Sequence, residues 1–255
     1  MASQKQTRVK ELLNLSHRLG NPENGMAILG EGNASARLRS GKTFLVKASG
    51  TRLGTLRKNE VVECKSDVLL PLLDVPSSSD DEVESALLKS RLRKGDKKPS
   101  VEALFHAYCL SLNDVHFVGH THAISVNQIL CSPRGQEFAE KRIFPDEIVC
   151  CGRASVFVPY TDPGLQLAKV IRAKTEDFMN RYGQLPRVIL LENHGIITLG
   201  RSAEAVLAAM SMAEKTARIW VGAVHLGGPK FLSDQDVERI AERTDEHYRQ
   251  KELNL

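Results

Sequence analysis

The sequence predicts an α/β or α+β fold, because short apolar segments typical of strands are interspersed with longer segments of helical periodicity. The chain has 255 residues, of which 42% are hydrophobic and 26% are charged, which is ample for one core and typical of a soluble protein. No apolar run approaches the ~18 residues that a membrane-spanning helix needs. We therefore expect a single layered domain over residues 1–255, without a membrane association.

The N-terminal part of the chain is predicted to form one helix followed by three short strands. Val9, Leu12 and Leu19 keep roughly helical spacing, which favours a helix over residues 6–19. Strands are expected at 34–38, 43–46 and 61–63, with one glycine-containing turn at 30–33 before the first strand and another at 47–51 between the last two.

Residues 74–98 are the most linker-like stretch of the chain. Ser79 and Glu82 have the spacing of a capping box, which predicts the start of a short helix. One face of that helix is expected to contain Val83, Ala86, Leu87 and Leu92. Because long apolar segments resume soon afterwards, we interpret the stretch as a surface insertion rather than a domain boundary.

The rest of the chain is predicted to continue the mixture of helices and strands. Asp162 and Pro163 are typical of a helix start, and Gly183 is typical of a helix end. The expected helices cover 101–112, 162–182, 203–225 and 234–248, and the expected strands cover 115–122, 188–191 and 196–199.

The charges and the cysteines exclude some classes of protein. The net charge is +4, but the 35 basic residues are scattered and aromatic residues make up only 5%, so we expect no nucleic-acid binding. The 5 cysteines are odd in number and form no C-x-x-C pair. They are therefore interpreted as small buried hydrophobes of a protein in the reducing cytoplasm rather than as a disulfide framework.

Two histidines two residues apart are the strongest chemical feature. His120 and His122 lie in a predicted strand, where residues i and i+2 point to the same face. Their imidazoles can therefore share one metal ion such as zinc. The alternative is a strand with two surface or hydrogen-bonded histidines.

Two further residues are candidates for the same site. His194 lies between a buried apolar strand and Gly195, a position that often presents a side chain to a cleft. Glu102 lies at the start of a predicted helix, where it can act as a ligand or base. The alternatives are a histidine that caps a turn and a glutamate that only caps a helix.

Five motifs together resemble those of the class II aldolase/adducin family, over about residues 6–226. Members of this family include fuculose- and rhamnulose-phosphate aldolases and ribulose-phosphate 4-epimerases. The insertion at 74–98 and the run 144–148 look most like a rhamnulose-phosphate-aldolase-like branch. The matching motifs are Gly32-Asn33-Ala34-Ser35, Ala48-Ser49-Gly50-Thr51, Pro99-Ser100-Val101-Glu102, His120-Thr121-His122 and Glu192-Asn193-His194-Gly195.

The resemblance implies a three-layer α/β/α fold around a mostly antiparallel sheet, and a homotetramer with active sites between subunits. It implies that His120, His122 and His194 bind the metal. Glu102 matches the acid/base glutamate of the family, which can also reach the metal when substrate is absent. Zinc (Zn²⁺) is expected because three imidazoles suit it, with Mn²⁺, Co²⁺ or Fe²⁺ as alternatives.

The resemblance also implies a phosphate site. The residues that match substrate-phosphate positions are Asn33, Ser49, Gly50 and Ser100. Many phosphate-binding members have a second serine where this chain has Val101, so one phosphate contact is missing or replaced.

Three other candidate residues lie outside these five motifs. Lys47 flanks the Ser49–Gly50 loop and is predicted either to replace the missing phosphate contact or to be a surface lysine. Asp146 is the nearest candidate for a second catalytic residue after the His-x-His strand. Tyr248 is a candidate for a tyrosine delivered from the C-terminal tail.

The implied function is that of a metal-dependent sugar-phosphate aldolase. Such an enzyme cleaves a ketose 1-phosphate to dihydroxyacetone phosphate and an aldehyde through a metal-stabilised enediolate. The alternatives are a 4-epimerase, decarboxylase or dehydratase on a similar substrate and, further away, a non-enzymatic adducin-like scaffold.

Overall fold

The computed structural model of the chain describes residues 2–39 and 41–252. The strands of this part form one seven-stranded sheet in the order β3-β2-β1-β4-β7-β6-β5. Neighbouring strands are antiparallel except β5 and β6, which are parallel. The strands are β1 (Asn33–Arg37), β2 (Thr43–Lys47), β3 (Val61–Lys65), β4 (Phe117–Thr121), β5 (Val156–Val158), β6 (Val188–Leu191) and β7 (Gly195–Gly200).

Helices cover both faces of the sheet. In chain order they are α1 (Ala2–Leu19), α2 (Ser66–Leu69), α3 (Asp80–Ser90), α4 (Ala103–Ser111), α5 (Ile124–Leu130), α6 (Gly135–Glu140), α7 (Pro145–Cys151), α8 (Leu165–Tyr182), α9 (Ala203–Val224), α10 (Asp234–Ala241) and α11 (Thr244–Glu252). Helices α1 and α9 contact the central strand β4, as does α4, which also packs against α8.

The period-2 alternation of the strands explains the layers. Ile189 and Leu191 of β6 belong to the apolar cluster that includes α4 and α8. Val188 and Leu190 of the same strand belong to a second cluster, which includes α1 and α9. The predicted three-layer α/β/α fold with a mostly antiparallel sheet is therefore confirmed.

The linker-like stretch contains α3, and the predicted capping box is present. The Ser79 side chain accepts from the Glu82 N–H, and the Glu82 side chain accepts from the Ser79 N–H. Leu92 is 47% exposed, and its predicted place on the apolar face is wrong because α3 ends at Ser90. A single domain over 1–255 with a surface insertion at 74–98 stays a prediction.

The predicted start of one helix and the continuity of another differ from the structure. Helix α8 begins at Leu165, because Gly164 precedes it at φ 122°, outside the helical region. Asp162 does not cap α8, and its carboxylate instead accepts a hydrogen bond from the Tyr160 hydroxyl at 3.1 Å. The predicted helix over 234–248 is divided into α10 and α11, and the buried Val237 and Ile240 hold α10 against α7.

No element is predicted between residues 124 and 158, where the structure has α5, α6, α7 and β5. These helices have 7, 6 and 7 residues, so none completes the two turns over which helical periodicity becomes visible. No disulfide joins the cysteines in the described part of the chain, and Cys131 is exposed rather than buried as predicted. Within residues 2–39 and 41–252, no helix combines the length and apolarity needed to cross a membrane.

Candidate metal centre

The two histidines of the His-x-His motif lie side by side at the end of the middle strand. His120 is fully buried in β4, and His122 follows that strand directly. Their Nε2 atoms are 3.2 Å apart. The predicted convergence of the two imidazoles is therefore confirmed.

His194 and Glu102 complete the cluster. His194 lies in the turn between β6 and β7, and its ring centroid is 5.1 Å from those of both His120 and His122. Glu102 lies immediately before α4, with Oε1 3.2 Å from His120 Nε2 and 3.7 Å from His194 Nε2. One potential ligand atom from each of the four residues lies within 4.8 Å of the others.

A glycine next to His194 makes this convergence possible. A Cβ at Gly195 would lie 2.5 Å from the Thr121 carbonyl oxygen and 2.9 Å from His122 Cδ2. Any other side chain would therefore push β7 away from the end of β4. Asn193, on the other side of His194, has a positive φ of 52°, which turns the chain sharply enough to aim the imidazole inward.

The hydrogen bonds of the two strand-end histidines determine which nitrogens face the cluster. His120 Nδ1 lies 3.0 Å from the Ile196 carbonyl oxygen, and His122 Nδ1 lies 3.2 Å from Glu31 Oε2. A carbonyl and a carboxylate only accept hydrogen bonds, so each Nδ1 holds the proton of the neutral imidazole. The lone pairs of both Nε2 atoms therefore point toward the centre of the cluster.

This arrangement fits a divalent metal ion. Two lone pairs 3.2 Å apart repel each other unless they share a cation. Nitrogen ligands at ~2.0–2.1 Å in tetrahedral geometry are ~3.3 Å from each other. His120, His122 and His194, with the Glu102 carboxylate beside them, are therefore a donor set of the right type and spacing.

The electrostatics of the cluster favour the metal-binding forms of Glu102, His122 and His194. Burial opposes ionisation of Glu102, but the neighbouring His120 and the Asn33 amide outweigh it, so the pKa of Glu102 lies below its ordinary value. Burial and the nearby His120 lower the pKa of His194 to about 4 and also lower the pKa of His122. The carboxylate is therefore ionised and both of these histidines are neutral at neutral pH. The pKa of His120 is raised, because the attraction of Glu102 exceeds the effect of burial.

The Asn33 side chain is hydrogen-bonded to a member of the histidine–glutamate cluster. The β1–β4 register places Asn33 opposite His120, and the Asn33 Nδ2 donates to Glu102 Oε2 at 2.5 Å. Its own Oδ1 is buried without a hydrogen-bond partner among the described residues. One Glu102 oxygen is therefore held by an amide, while the other faces the histidines.

The other predicted phosphate residues come together beside Glu102. Ala48 forms an isolated antiparallel bridge with Pro99, and the Ser49 N–H donates to the Lys98 carbonyl oxygen at 2.9 Å. This pairing brings the exposed Ser49–Gly50 turn close to Ser100. Gly50 has a φ of 72°, and a Cβ there would meet no heavy atom within 4 Å. The turn is therefore open for a ligand.

Lys47 is buried, so the alternative prediction of a surface lysine is wrong. It is only 2% exposed, and its Nζ donates to the carbonyl oxygens of Thr51 at 2.8 Å and Gly30 at 3.2 Å. Burial lowers the pKa of Lys47, although Glu102 opposes that change. The ammonium thus joins the two glycine-containing loops, with one of its three hydrogens left over.

The remaining candidates lie outside the cluster. Asp146 is in the first turn of α7 and is not a member of the metal-binding group. Tyr248 is exposed on α11, and Val101 is half-buried against the apolar core. The catalytic roles of Asp146 and Tyr248 stay predictions.

Two residues near the centre have no place in the sequence predictions. Glu31 lies in the predicted glycine-containing turn at 30–33 and was not predicted as a site residue. A carboxylate between two glycines is a weak signal of a site. His106 is fully buried in α4, with Nδ1 2.7 Å from Ser35 Oγ and Nε2 without a partner among the described residues. Its position inside a continuous apolar helix gave no sequence signal.

Known proteins resemble this chain along most of its length. A family model of the class II aldolase and adducin N-terminal domain matches residues 10–221. The uncharacterized oxidoreductase YuxG of Bacillus subtilis (strain 168) is 28% identical over 210 residues, which are 80% of this chain. The match spans only 28% of YuxG, so this chain corresponds to a part of that protein.

Solved structures share the fold. YgbL from Escherichia coli, whose description leaves aldolase, epimerase and decarboxylase activities open, is 20% identical with a TM-score of 0.69, over 93% of this chain and 99% of that chain. An L-fuculose 1-phosphate aldolase is 18% identical with a TM-score of 0.68, over 92% and 95% of the two chains. The chain belongs to the class II aldolase and adducin family.

Proposed function

We propose that this protein is a metal-dependent aldehyde-lyase that cleaves a ketose 1-phosphate into dihydroxyacetone phosphate and an aldehyde. The proposal rests on one observation: the Nε2 atoms of His120 and His122 face each other at 3.2 Å beside an ionised glutamate. The similarity to the fold of an L-fuculose 1-phosphate aldolase supports this reaction. The resemblance to a rhamnulose-phosphate-aldolase-like branch is part of the same proposal.

The proposed metal ligands are His120, His122 and His194, and Glu102 is close enough to join them when substrate is absent. Zn²⁺ is the proposed ion, with Mn²⁺, Co²⁺ or Fe²⁺ as alternatives. When bound, the ion supplies Lewis-acid stabilisation of negative charge on the substrate oxygens.

Glu102 is the proposed acid/base residue. Cleavage breaks the bond between C3 and C4 of the ketose, the C4 hydroxyl loses its proton, and C3 gains one. Glu102 is ionised at rest, so in the condensation direction its carboxylate takes the proton from the carbon beside the carbonyl. In cleavage the ionised Glu102 first takes up a proton, matched by the one that the C4 hydroxyl releases, and then delivers it to C3.

The phosphate is proposed to bind at the Ser49–Gly50 turn and Ser100, with Asn33 at its inner edge. Exposed N–H and hydroxyl groups suit a phosphate, and the buried Lys47 ammonium adds positive charge beside the turn. Lys47 therefore compensates in charge for the absence of a serine at Val101.

Asp146 is proposed as the residue that handles the proton of the C4 hydroxyl. It lies outside the cluster of its own chain, so it would act in the site of a neighbouring subunit of the proposed homotetramer. The apolar rim beside His122 supports such an assembly, because Ile28, Leu29 and Ile124 are exposed there and Leu29 is 71% exposed. We place this oligomer in the cytoplasm, where cysteine thiols remain reduced.

A second candidate function keeps the site and changes the reaction. The similarity to YgbL favours a 4-epimerase or decarboxylase, and a dehydratase would need the same metal and base. An adducin-like scaffold would need neither, so a stoichiometric metal content of the purified protein would argue against it. Product analysis with a panel of ketose phosphates and keto acids distinguishes the reactions.

The first experiment measures the metal content of the purified protein by elemental analysis, beside the His120→Ala/His122→Ala double variant. About one ion per chain, lost in the variant, is expected. The loaded protein is then assayed for release of dihydroxyacetone phosphate from ketose 1-phosphates. Absence of metal from both proteins after reconstitution would overturn the proposal.

A further inference from the structure

The loop before β1 presents a carboxylate to one of the histidines. Glu31 Oε2 lies 3.2 Å from His122 Nδ1, and Glu31 Oε1 accepts a hydrogen bond from the Ile28 N–H at 2.7 Å. Both side chains are about three-quarters buried, at 28% and 26% exposure. The carboxylate is thus engaged at both oxygens, one by the backbone and one by the imidazole.

We propose that Glu31 is a positioning residue of the metal centre, which fixes the ring of His122 and keeps its Nε2 free for the ion. This inference rests on the proposed function, because it requires a metal at the histidine cluster. It adds to that proposal the residue that determines how tightly the ion is held.

The carboxylate acts on His122 in two ways. As a pure acceptor it requires the proton of the neutral imidazole to be on Nδ1, so that Nε2 offers its lone pair to the centre. Its negative charge also makes the imidazole a more basic ligand. Removal of such a partner typically costs 10–100-fold in metal affinity.

His122 needs such support more than His120 does. His120 is inside β4, and its Nδ1 is bound by the Ile196 carbonyl oxygen, a backbone group that no side-chain change removes. His122 lies beyond the last residue of β4, and its backbone N–H donates to the Met26 carbonyl oxygen instead of the sheet. The ring of His122 is therefore oriented by a loop.

The same loop is fixed on both sides of Glu31. The Gly30 carbonyl oxygen accepts from the buried Lys47 ammonium at 3.2 Å. Gly32 has a φ of 74°, and a Cβ there would lie 2.8 Å from the His120 carbonyl oxygen, so the loop lies directly against β4. Glu31 is consequently held near His122 by the backbone and does not reach it as a mobile surface chain.

The test measures Zn²⁺ affinity by competition with a chromophoric chelator for the wild type, Glu31→Gln, Glu31→Ala and the matched control Glu23→Gln, an exposed glutamate of the preceding turn. We expect Glu31→Ala to weaken binding by roughly 10–100-fold. Glu31→Gln keeps an acceptor for Ile28 but loses the charge, so its loss is smaller. Glu23→Gln is expected to bind Zn²⁺ like the wild type.

Two further measurements separate positioning from a structural role. The melting temperatures of the metal-free proteins are compared, and the Glu31→Gln value is expected to equal that of the wild type. The visible absorption spectrum of the Co²⁺-loaded protein reports the geometry of the ligands and is expected to change in Glu31→Gln. If Glu31→Ala does not fold, Glu31→Gln alone decides.

The outcomes distinguish this inference from the proposal beneath it. If the wild type binds Zn²⁺ and both Glu31 variants bind it equally well with an unchanged Co²⁺ spectrum, Glu31 has no positioning role and the metal centre stands. If the wild type binds neither ion, the metal centre and the role of Glu31 are both overturned. A weaker affinity in Glu31→Gln that is fully explained by a lower melting temperature assigns Glu31 a structural role and also overturns the inference.

Discussion

Asn33 and Glu102 are 69 residues apart in sequence, and the Asn33 amide donates a 2.5 Å hydrogen bond to Glu102 Oε2. The pairing of β1 with β4 places Asn33 opposite His120. The hydrogen bond between Asn33 and Glu102 therefore connects the sheet to the start of α4. The consequence is an asymmetric carboxylate. One oxygen is fixed by a neutral donor, and the other is 3.2 Å from His120 Nε2.

Loss of this amide should change the proton chemistry of Glu102 while leaving the metal in place. In Asn33→Leu the ionised carboxylate loses a donor, so the pKa of Glu102 rises toward its ordinary value. We expect a roughly tenfold lower rate at neutral pH, because a hydrogen bond to a charged group contributes about 1.5–3 kcal/mol. The acid limb of the pH–rate profile should move to higher pH, whereas the exposed control Asn59→Leu should leave it unchanged.

Glu102 itself can be tested by an isosteric change. In Glu102→Gln the side chain no longer transfers a proton, so turnover in the proposed cleavage should fall by about 10²–10⁴-fold. The three histidines remain, and elemental analysis should still find metal at the wild-type level. A variant that retains full activity would exclude Glu102 as the base, and Glu140→Gln at the exposed end of α6 is the control.

The close approach of β7 to β4 predicts different outcomes for two glycine substitutions. Gly195→Ala places a methyl group 2.5 Å from the Thr121 carbonyl oxygen, and we expect a loss of about 1–3 kcal/mol in the free energy of unfolding. Metal content should fall as well, because the methyl group also displaces His122. Gly222→Ala in α9 meets no atom within 4 Å and should be neutral or stabilising by up to about 1 kcal/mol. Urea unfolding of the wild type and both variants measures the free energy of unfolding, and elemental analysis measures the metal content.

The buried ammonium of Lys47 is expected to stabilise the two glycine loops. Lys47→Met leaves the Thr51 and Gly30 carbonyl oxygens without their donor, which should lower the free energy of unfolding by about 1–3 kcal/mol. If the ammonium also attracts the substrate phosphate, KM should rise by a larger factor than kcat falls. The exposed Lys58→Met should change neither quantity. An unchanged KM would restrict Lys47 to the structural role.

The buried His106 predicts a loss of stability in mild acid. Burial lowers the pKa of His106 to about 3, whereas an unfolded histidine titrates near ~6.5. Between these values the unfolded chain binds a proton that the folded chain does not, so the free energy of unfolding falls as the pH falls. At pH 5 this single group should account for about 2 kcal/mol.

Urea unfolding of the metal-free protein at pH 7 and pH 5 tests this expectation. His106→Gln should lose about 2 kcal/mol less than the wild type between the two pH values. The exposed His225→Gln should lose as much as the wild type. Equal pH dependence of the wild type and His106→Gln would contradict a neutral, buried His106.

The sequence predicted the residues of the centre better than it predicted their contacts. His120 and His122 could be placed on one face because a strand has a period of two, and Gly195 marked a close approach after His194. The hydrogen bond between His122 and the Glu31 carboxylate depends on a loop that folds back against β4. No local periodicity in the sequence predicts that loop. Lys47 was ambiguous for the same reason, since its burial results from two loops that close over it.

The short elements were unpredictable for a different reason. Helices α5, α6 and α7 are too short for their periodicity to be visible, and they are defined by tertiary contacts with α9 and β5. Gly164 delayed the start of α8, because its backbone conformation overrides the Asp162-Pro163 signal. The layers were nevertheless predictable, since alternating apolar residues determine which side of each strand is covered.

The histidine cluster also has a consequence for folding. Its members come from three separate parts of the chain, the start of α4, the end of β4 and the β6–β7 turn, so an ion bound there is a reversible cross-link between them. The unfolded chain lacks this preformed site, so metal binding stabilises the folded chain and the melting temperature rises with the concentration of metal. At a metal concentration of 100 times the dissociation constant, the free energy of unfolding rises by about 2.7 kcal/mol. Metal supply would then control the lifetime of the folded protein as well as its chemistry.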